Sequence, residues 1–377
     1  MIRNLITGLN VAFALMLPAQ HAVALQTTTA APPPVRVAVA RMTHGHIGRL
    51  WTMQHPEIQV VGIFEPNGDL VERLAKQYGF DRRLVFTDMA TMLDVSKPDA
   101  VVAFGATSEH LSVVEAAAPR GIHVMVEKPL AVSTEHARRI ESLARRHHVN
   151  VLTNYETTWY PSMHAARQLV QGDTVIGPLR KLVVHDGHPG PREIGVGPEF
   201  LEWLTDPVQN GAGALFDFGC YGANLATWFM NGEAPATVTA VTQQIKPDVY
   251  PRVDDEATIV LTYPHAQAIL QASWNWPVSR KDLELYGKTG YLLAPDATTL
   301  RVRRAQNTPE DAITPAPASS PWQNEWQYLA AVVRGTLRVS ETDLSSLTNN
   351  VTVVRILDAA RQSAKTGRTV KLDGGGR

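Results

Sequence analysis

The sequence predicts an α/β protein with two sheets: a doubly wound parallel sheet in the first half, then an α+β region with an open, mostly antiparallel sheet. Two observations carry this. Up to about residue 154, short apolar, β-branched runs alternate with segments of helical spacing, the pattern of a parallel sheet covered by helices on both faces. Beyond that point the runs alternate polar and apolar residues with period two and are joined by short turns, as in a sheet with one covered face. A chain of 377 residues with 44% hydrophobic and 19% charged residues has room for the large core this requires.

In chain order, Val35–Ala40 is wholly apolar and suits a strand buried on both faces. The loop Arg41–Gly48 follows, and "IGRLWTMQHP" continues as a helix ending near Pro56. Ile58–Glu65 is a second strand. "NGDLVERLAKQYG" places Leu70, Leu74 and Tyr78 on one stripe, with Gly79 as a stop signal. "DMATMLD" is a helix, "PDAVVAFGA" a third strand, "EHLSVVEAAAPRG" a helix and "HVMVEKP" a fourth strand. "STEHARRIESLARRHH" is a helix capped by Ser133 or Thr134, and "VNVLTNY" is a fifth strand. A helix around Pro161–Gln171 leads into the second sheet: "LRKLVVHDG", "TVTAVTQQI", "DEATIVLTY", "AQAILQASWNW", "KDLELYGKTGYLLA" and "TTLRVRRA". The proline-rich "TPEDAITPAPASSP" is a loop, and "NEWQYLAAVVRG" and "LTNNVTVVRILDAARQSAKTG" close the chain as helices.

The first residues read as an export signal. Arg3 precedes the apolar run "LITGLNVAFALML", and Ala22-Val23-Ala24 supplies small residues spaced for a signal peptidase. Gly8, Asn10 and Pro18 interrupt the run, which is short for a bilayer span. The expected organisation is a signal peptide over 1–24, a proline-rich linker over 25–34, a dinucleotide-binding domain over 35–153 and a substrate and oligomerisation domain over 154–377. A periplasmic or secreted protein with no stable membrane span after cleavage follows. The net charge of −1 and the lack of a long basic run exclude nucleic acid as an expected partner. The single cysteine, Cys220, excludes an intramolecular disulfide framework.

The loop after the first strand bears on function. A diphosphate needs backbone N–H groups at a helix start and close approach without side chains. In the pattern G-x-G-x-x-G the glycine positions fall on Thr43, Gly45 and Gly48, so the two glycines for phosphate approach and helix packing are present and the tight-turn glycine is not. The expected contacts are Thr43, His44, Gly45, His46, Ile47 and Gly48. Glu65, at the end of the second strand, stands where an acidic residue accepts from the adenosine ribose hydroxyls; a carboxylate there repels a ribose phosphate and favours NAD over NADP.

Two constellations carry chemistry. Lys128 in "VEKPL" follows the fourth strand and faces the crevice where ligands of parallel sheets bind, with Glu127 beside it to orient it; the same letters also fit an exposed surface pair. In "NGAGALFDFGCYGANLATWFMNG", Asp217 and Tyr221 lie four apart. On a helix both project from one face and relay a proton from an alcohol, although a capping aspartate and a core tyrosine have that spacing too.

Taken together, the strand–"HGHIG"–helix start, "EKP" after the fourth strand and "GAGALFDFGCYGANLATW" resemble the glucose–fructose oxidoreductase/inositol dehydrogenase (Gfo/Idh/MocA) family over nearly all of Val35 to Leu372. The resemblance implies a Rossmann-type first domain, an open sheet in the second, and NAD(P)-dependent hydride transfer on sugars or polyols. It places the catalytic lysine at Lys128 and the acid/base positions at Asp217 and Tyr221. Thr43 and Ala212 depart from the family's glycines.

Substrate contacts are expected from "NYETTWYPSM", where Tyr155, Trp159 and Tyr160 stack on a sugar and Glu156 accepts from hydroxyls, unless packing claims the rings. His185 and His188 in "VVHDGHPGPREIG" extend a carbohydrate pocket; histidines and carboxylates there are also zinc-compatible, but the chemistry needs no metal and none is expected. The reading is an exported oxidoreductase acting on a small carbohydrate with a tightly retained NAD, assembled as a homo-oligomer through the C-terminal sheet. The alternatives are a redox-assisted glycosidase of the same family and a non-catalytic carbohydrate-binding relative.

Overall fold

In the first sheet strands alternate with helices, and this computed structural model places all its strands parallel. The structure describes residues 32–372 apart from residue 174; the expected signal peptide and most of the linker lie outside the described residues. The elements are β1 (Val35–Ala40), α1 (Ile47–Thr52), β2 (Ile58–Phe64), α2 (Gly68–Tyr78), β3 (Val85–Phe86), α3 (Met89–Ser96), β4 (Ala100–Ala103), α4 (His110–Ala117), β5 (His123–Glu127), α5 (Thr134–His147) and β6 (Val151–Asn154). The strand order β3-β2-β1-β4-β5-β6 reverses between β1 and β4, which opens a crevice at the strand carboxyl ends. Two local signals hold as read: Gly79 ends α2 at φ 73° and Ser133 caps α5; α2 is also capped by Asn67, which accepts from Leu70 N at 3.1 Å. The two-residue strand β3 was not anticipated, being too short to show a period.

The second half contains α6 (Pro161–Val170), β7 (Leu179–Gly187), α7 (Pro198–Leu204), α8 (Ala214–Asp217), α9 (Gly219–Phe229), β8 (Thr237–Gln243), β9 (Glu256–Thr262), β10 (Gln267–Ser273), β11 (Arg280–Gly287), β12 (Tyr291–Ala294), β13 (Leu300–Arg303), β14 (Asp311–Ile313), α10 (Glu325–Val333), α11 (Leu347–Thr366) and β15 (Val370–Lys371). Its sheet runs β14-β13-β12-β11-β7-β10-β9-β8-β15, antiparallel except where β10 pairs β7 in parallel. On β7 the even positions Leu182, Val184 and Asp186 are buried, facing the layer that contains α9. From Pro34 onward the chain is one compact unit. Trp326, Tyr328 and Leu329 of α10 pack into the core of the first sheet, so the chain returns to that sheet after the second is complete. No described helix is long and apolar enough to cross a membrane.

One glycine fixes the turn that leads into α8. A Cβ on Gly213 would lie 1.8 Å from the carbonyl oxygen of Asp254, closer than any relaxation of a side chain can relieve. Gly213→Ala is therefore expected to lower unfolding stability by about 2–3 kcal/mol, read as a reduced midpoint in thermal or urea denaturation.

Candidate active site

Lys128 leaves the end of β5 through a cis peptide to Pro129 and reaches across to the second half of the chain. Its Nζ donates to the backbone oxygen of Asp217 at 3.0 Å and pairs with the Asp217 carboxylate. Both side chains are buried, 7% and 4% exposed. Burial opposes each charge, and each partner reverses that effect: the ammonium is held above its ordinary range and the carboxyl below its own. Asp217 is held from two further sides. Trp274 Nε1 donates to Oδ2 at 2.9 Å, and the Asp254 carboxylate fixes the start of α8 by accepting from Gly213 N at 2.9 Å and Leu215 N at 2.7 Å. Asp217 and Tyr221 do not share one helix, because α8 ends at Asp217 and α9 begins at Gly219. They still converge, since the Tyr221 ring lies 5.3 Å from Lys128 Nζ and 5.2 Å from Lys281 Nζ.

Beside this pair is a cavity of about 270 Å³ whose lining includes Glu156, Tyr160, His188, Phe218, Arg280 and Lys281. Glu156 pairs with Lys281 and accepts from Tyr160 Oη at 2.8 Å; against the effect of burial, Lys281 pulls its carboxyl down to about 2. His188 Nδ1 accepts from Gly190 N at 2.9 Å, and burial lowers its pKa, which leaves a neutral ring with Nε2 as the donor nitrogen. Of the residues expected to meet substrate, Glu156, Tyr160 and His188 therefore line the cavity. Tyr155, Trp159 and His185 do not. Tyr155 is fully buried against the edge of Tyr221, ring centroids 5.3 Å apart. Trp159 donates to Asn154 and packs on Tyr328. His185 has an odd position on β7, on the opposite face from Asp186, and pairs with Asp282 at 2.7 Å. Core packing and strand alternation, neither visible from a motif, decide all three.

Asp186 lies in the polar segment "VVHDGHPGPREIG" that the sequence marks as part of a carbohydrate pocket. It is 1% exposed, and neither carboxylate oxygen has a hydrogen-bond partner. Its cross-strand neighbour is Lys281, already paired with Glu156. Burial pushes its pKa well above the ordinary carboxylate value.

The loop after β1 behaves differently from a diphosphate cradle. Arg41 takes φ 67°, and His44 N donates to the Phe104 oxygen at 2.8 Å. The His46 N–H donates to His44 Nδ1 at 3.1 Å, and the Ile47 N–H donates to the His44 oxygen at 3.1 Å. The N–H groups at the start of α1 are thus engaged by His44 itself. Phe200 and Trp203 of α7 cover it: the His44 ring lies 4.6 Å from that of Phe200, Trp203 Nε1 donates to Thr43 Oγ1 at 3.1 Å, and a Cβ on Gly45 would already touch Phe200. Gly48 packs on Tyr78. Glu65, expected to hold a ribose, is buried and accepts from Arg41 Nη1 at 2.9 Å, Met42 N at 2.9 Å and Asn67 N at 3.0 Å, so it is not free for hydroxyls. The cavity at the strand ends beside Phe104, Glu127 and Trp326 measures about 10 Å³, against the several hundred a nucleotide needs (about 300–1,000 Å³). In this conformation the N–H groups and the carboxylate that a dinucleotide would use are engaged within the chain.

Glu127 remains where a cofactor's reactive end would meet Lys128. Its Oε1 accepts from Asn154 Nδ2 at 3.0 Å and its Oε2 lies 3.1 Å from His46 Nδ1; despite burial, the neighbouring histidines hold its carboxyl well below the usual range. His44, His46 and Glu127 bring three potential ligand atoms within 4.8 Å of one another. His44 is buried and neutral, and because Nδ1 accepts from His46 N its proton sits on Nε2. That nitrogen offers an ion no lone pair.

Two family models match this chain. Residues 38–155 match an oxidoreductase family with an NAD-binding Rossmann fold, and residues 163–293 match the GFO/IDH/MocA C-terminal domain; together they span well over half the chain. The chain belongs to the Gfo/Idh/MocA oxidoreductases. Among its Gfo/Idh/MocA relatives, a dTDP-3,4-didehydro-2,6-dideoxy-alpha-D-glucose 3-reductase of Streptomyces antibioticus is 26% identical over 68% of this chain and 71% of its own. A trans-1,2-dihydrobenzene-1,2-diol dehydrogenase of Xenopus laevis is 22% identical over 86% of this chain and 95% of its own. The fold is shared with an aldose-aldose oxidoreductase from Caulobacter crescentus complexed with glycerol (TM-score 0.75, 21% identity, 90% of this chain and 100% of that one). It is shared equally with an inositol dehydrogenase homolog from Azotobacter vinelandii complexed with NAD+ (TM-score 0.78, 19% identity, 90% and 98%).

Asp186 gives a testable pH dependence. Its folded-state pKa is raised, so its contribution to stability is complete below the unfolded aspartate pKa and is lost as pH rises toward the folded value. Asp186→Asn should therefore gain stability relative to the parent as pH increases from about 4 to 8, measured as the difference in unfolding midpoint at each pH; a difference independent of pH would mean Asp186 is ionised in the fold.

Proposed function

We propose that this protein is an exported oxidoreductase that transfers hydride between a hydroxyl of a sugar or glycoside and NAD, in preference to NADP. The observation that carries the proposal is the buried Lys128–Asp217 pair facing Tyr221, beside a cavity lined by Glu156, His188 and Lys281. Hydride chemistry belongs to the cofactor; the chain's own residues handle the proton. Lys128 holds a proton at Nζ, kept there by Asp217, and gives it to a carbonyl oxygen; in the oxidation direction Lys128 first passes that proton to solvent and, as the neutral amine, takes the hydroxyl proton. Tyr221, whose burial keeps its phenol protonated, hydrogen-bonds the same oxygen. Glu156 accepts from sugar hydroxyls and His188 donates to them through Nε2.

Cofactor entry requires α7 to leave the loop it covers and His44 to release the N–H groups of His46 and Ile47. The described conformation is then a closed form that excludes the cofactor; the retained NAD of this reading, which suits a compartment without a free nicotinamide pool, belongs to the open form. The reading includes a homo-oligomer on the large sheet: Val260, Ile269 and Val183 form an adjacent row on its outer face and are only half-buried. The engaged phosphate loop favours a second reading, a carbohydrate-binding relative without turnover.

Purified protein incubated with NAD+ and a panel of aldoses should develop the reduced-nicotinamide absorbance. No bound nucleotide and no change with any sugar would leave the binder, and release of an aglycone without net reduction would identify the glycosidase. Lys128→Met should lower kcat by at least about 100-fold while NAD+ affinity by calorimetry is preserved. Phe200→Ala with Trp203→Phe should tighten NAD+ binding severalfold by depopulating the closed form; unchanged affinity would show that the cover does not gate the loop.

A further inference from the structure

A second candidate binding region lies away from the Lys128 site. Between α5, α11 and β15 runs an open groove of about 650 Å³ lined by Arg138, Arg355, Arg361, Lys365 and Lys371, with Asp358 as its one acid. Among the described lining residues the cations outnumber the acid, on a chain of net charge −1. Arg355, Asp358, Gln362 and Lys365 recur at i, i+3, i+7 and i+10, so α11 offers the groove one mixed stripe, about 15 Å long at 1.5 Å per residue, while Arg138 and Lys371 come from α5 and β15.

Asp358 shows what the floor of the groove accepts. Its carboxylate takes a hydrogen bond from Thr134 N, the first residue of α5, at 2.5 Å, and from Arg361 Nη2 at 2.5 Å. An anion of this chain is thus already seated on a backbone N–H and a guanidinium at a helix start. Arg361 is engaged by that carboxylate and by the Gly211 oxygen. Arg138, Lys365 and Lys371 make no ion pair among the described residues. Unbalanced cations along a concave surface concentrate anions there.

We propose that this groove binds an acidic oligosaccharide, its carboxylate or sulfate groups meeting Arg138, Lys365 and Lys371. Several separated cations fit a chain of regularly spaced anions better than one phosphate. The choice of carbohydrate over nucleic acid rests on the function proposed above and on the near-neutral surface of the rest of the molecule, which lacks the extended positive field that nucleic acids require.

The test is calorimetry of the full chain without cofactor, at low and at physiological salt, with an oligogalacturonate, dextran sulfate, neutral dextran and a short DNA duplex. The acidic oligosaccharides should bind with affinity that falls as salt rises, and Lys365→Glu with Lys371→Glu should weaken them at least tenfold, as should Arg138→Glu, with the circular dichroism spectrum unchanged. Equal binding of neutral dextran, no binding of either acidic glycan, or unaltered affinity in the charge-reversed variants would overturn the groove. Tighter binding of the duplex would overturn the glycan assignment. Turnover at Lys128 is not read in this assay, so its outcome is separable from that of the proposed oxidoreductase activity.

Discussion

The candidate site depends on one buried ion pair. Lys128 at the end of β5 and Asp217 at the end of α8 belong to different halves of the chain, and both sit where water cannot repay their desolvation. Breaking such a pair from one side costs about 3–5 kcal/mol, because the partner stays buried and charged. Its geometry must therefore be supplied by everything around it. The Asp254 carboxylate sets the turn before α8, Trp274 takes the second oxygen of Asp217, and α10 returns to the core of the first sheet. A similar device recurs close by: Lys281 of β11 pairs with Glu156, just beyond β6. The Tyr221 ring lies near both ammonium groups, so a phenol is held between two cations where the halves meet.

These two pairings leave a third acid without a partner. Lys128 serves Asp217 and Lys281 serves Glu156, and Asp186 is left buried with neither oxygen hydrogen-bonded. The loop after β1 solves a related problem. A helix start beneath a closed surface must satisfy its N–H groups, and here the ring and carbonyl of His44 do so. Arg41 meanwhile neutralises Glu65. Each device keeps the crevice at the strand ends filled with the chain's own polar groups.

The first half was the more legible because its signals are local. Asn67, Gly79 and Ser133 act within a turn of where they stand, and the apolar runs of β1, β4 and β5 need only period and length to be read. The lysine after β5 was legible for the same reason: a residue at the carboxyl end of a parallel strand has one place to go. Trp274 and Asp254 were not, since each acts on an element far away in sequence and no spacing encodes that. The helical pairing of Asp217 with Tyr221 fails at Phe218 although both residues reach Lys128, because the chain turns there between two helices. Tyr155 and Trp159 look like a sugar platform as letters and prove to be packing.

The sequence by itself determined the two-sheet architecture, the strand order's alternation with helices, and the residue types that converge on Lys128, because hydrophobic period and capping chemistry are properties of neighbours along the chain. Only the tertiary structure decided which carboxylates are paired and which is left without a hydrogen bond, which aromatics face a cavity, and that the turn after β1 is engaged by His44 under α7. Those outcomes depend on competition for burial and for a limited number of cations, and that competition exists only once distant segments are packed together.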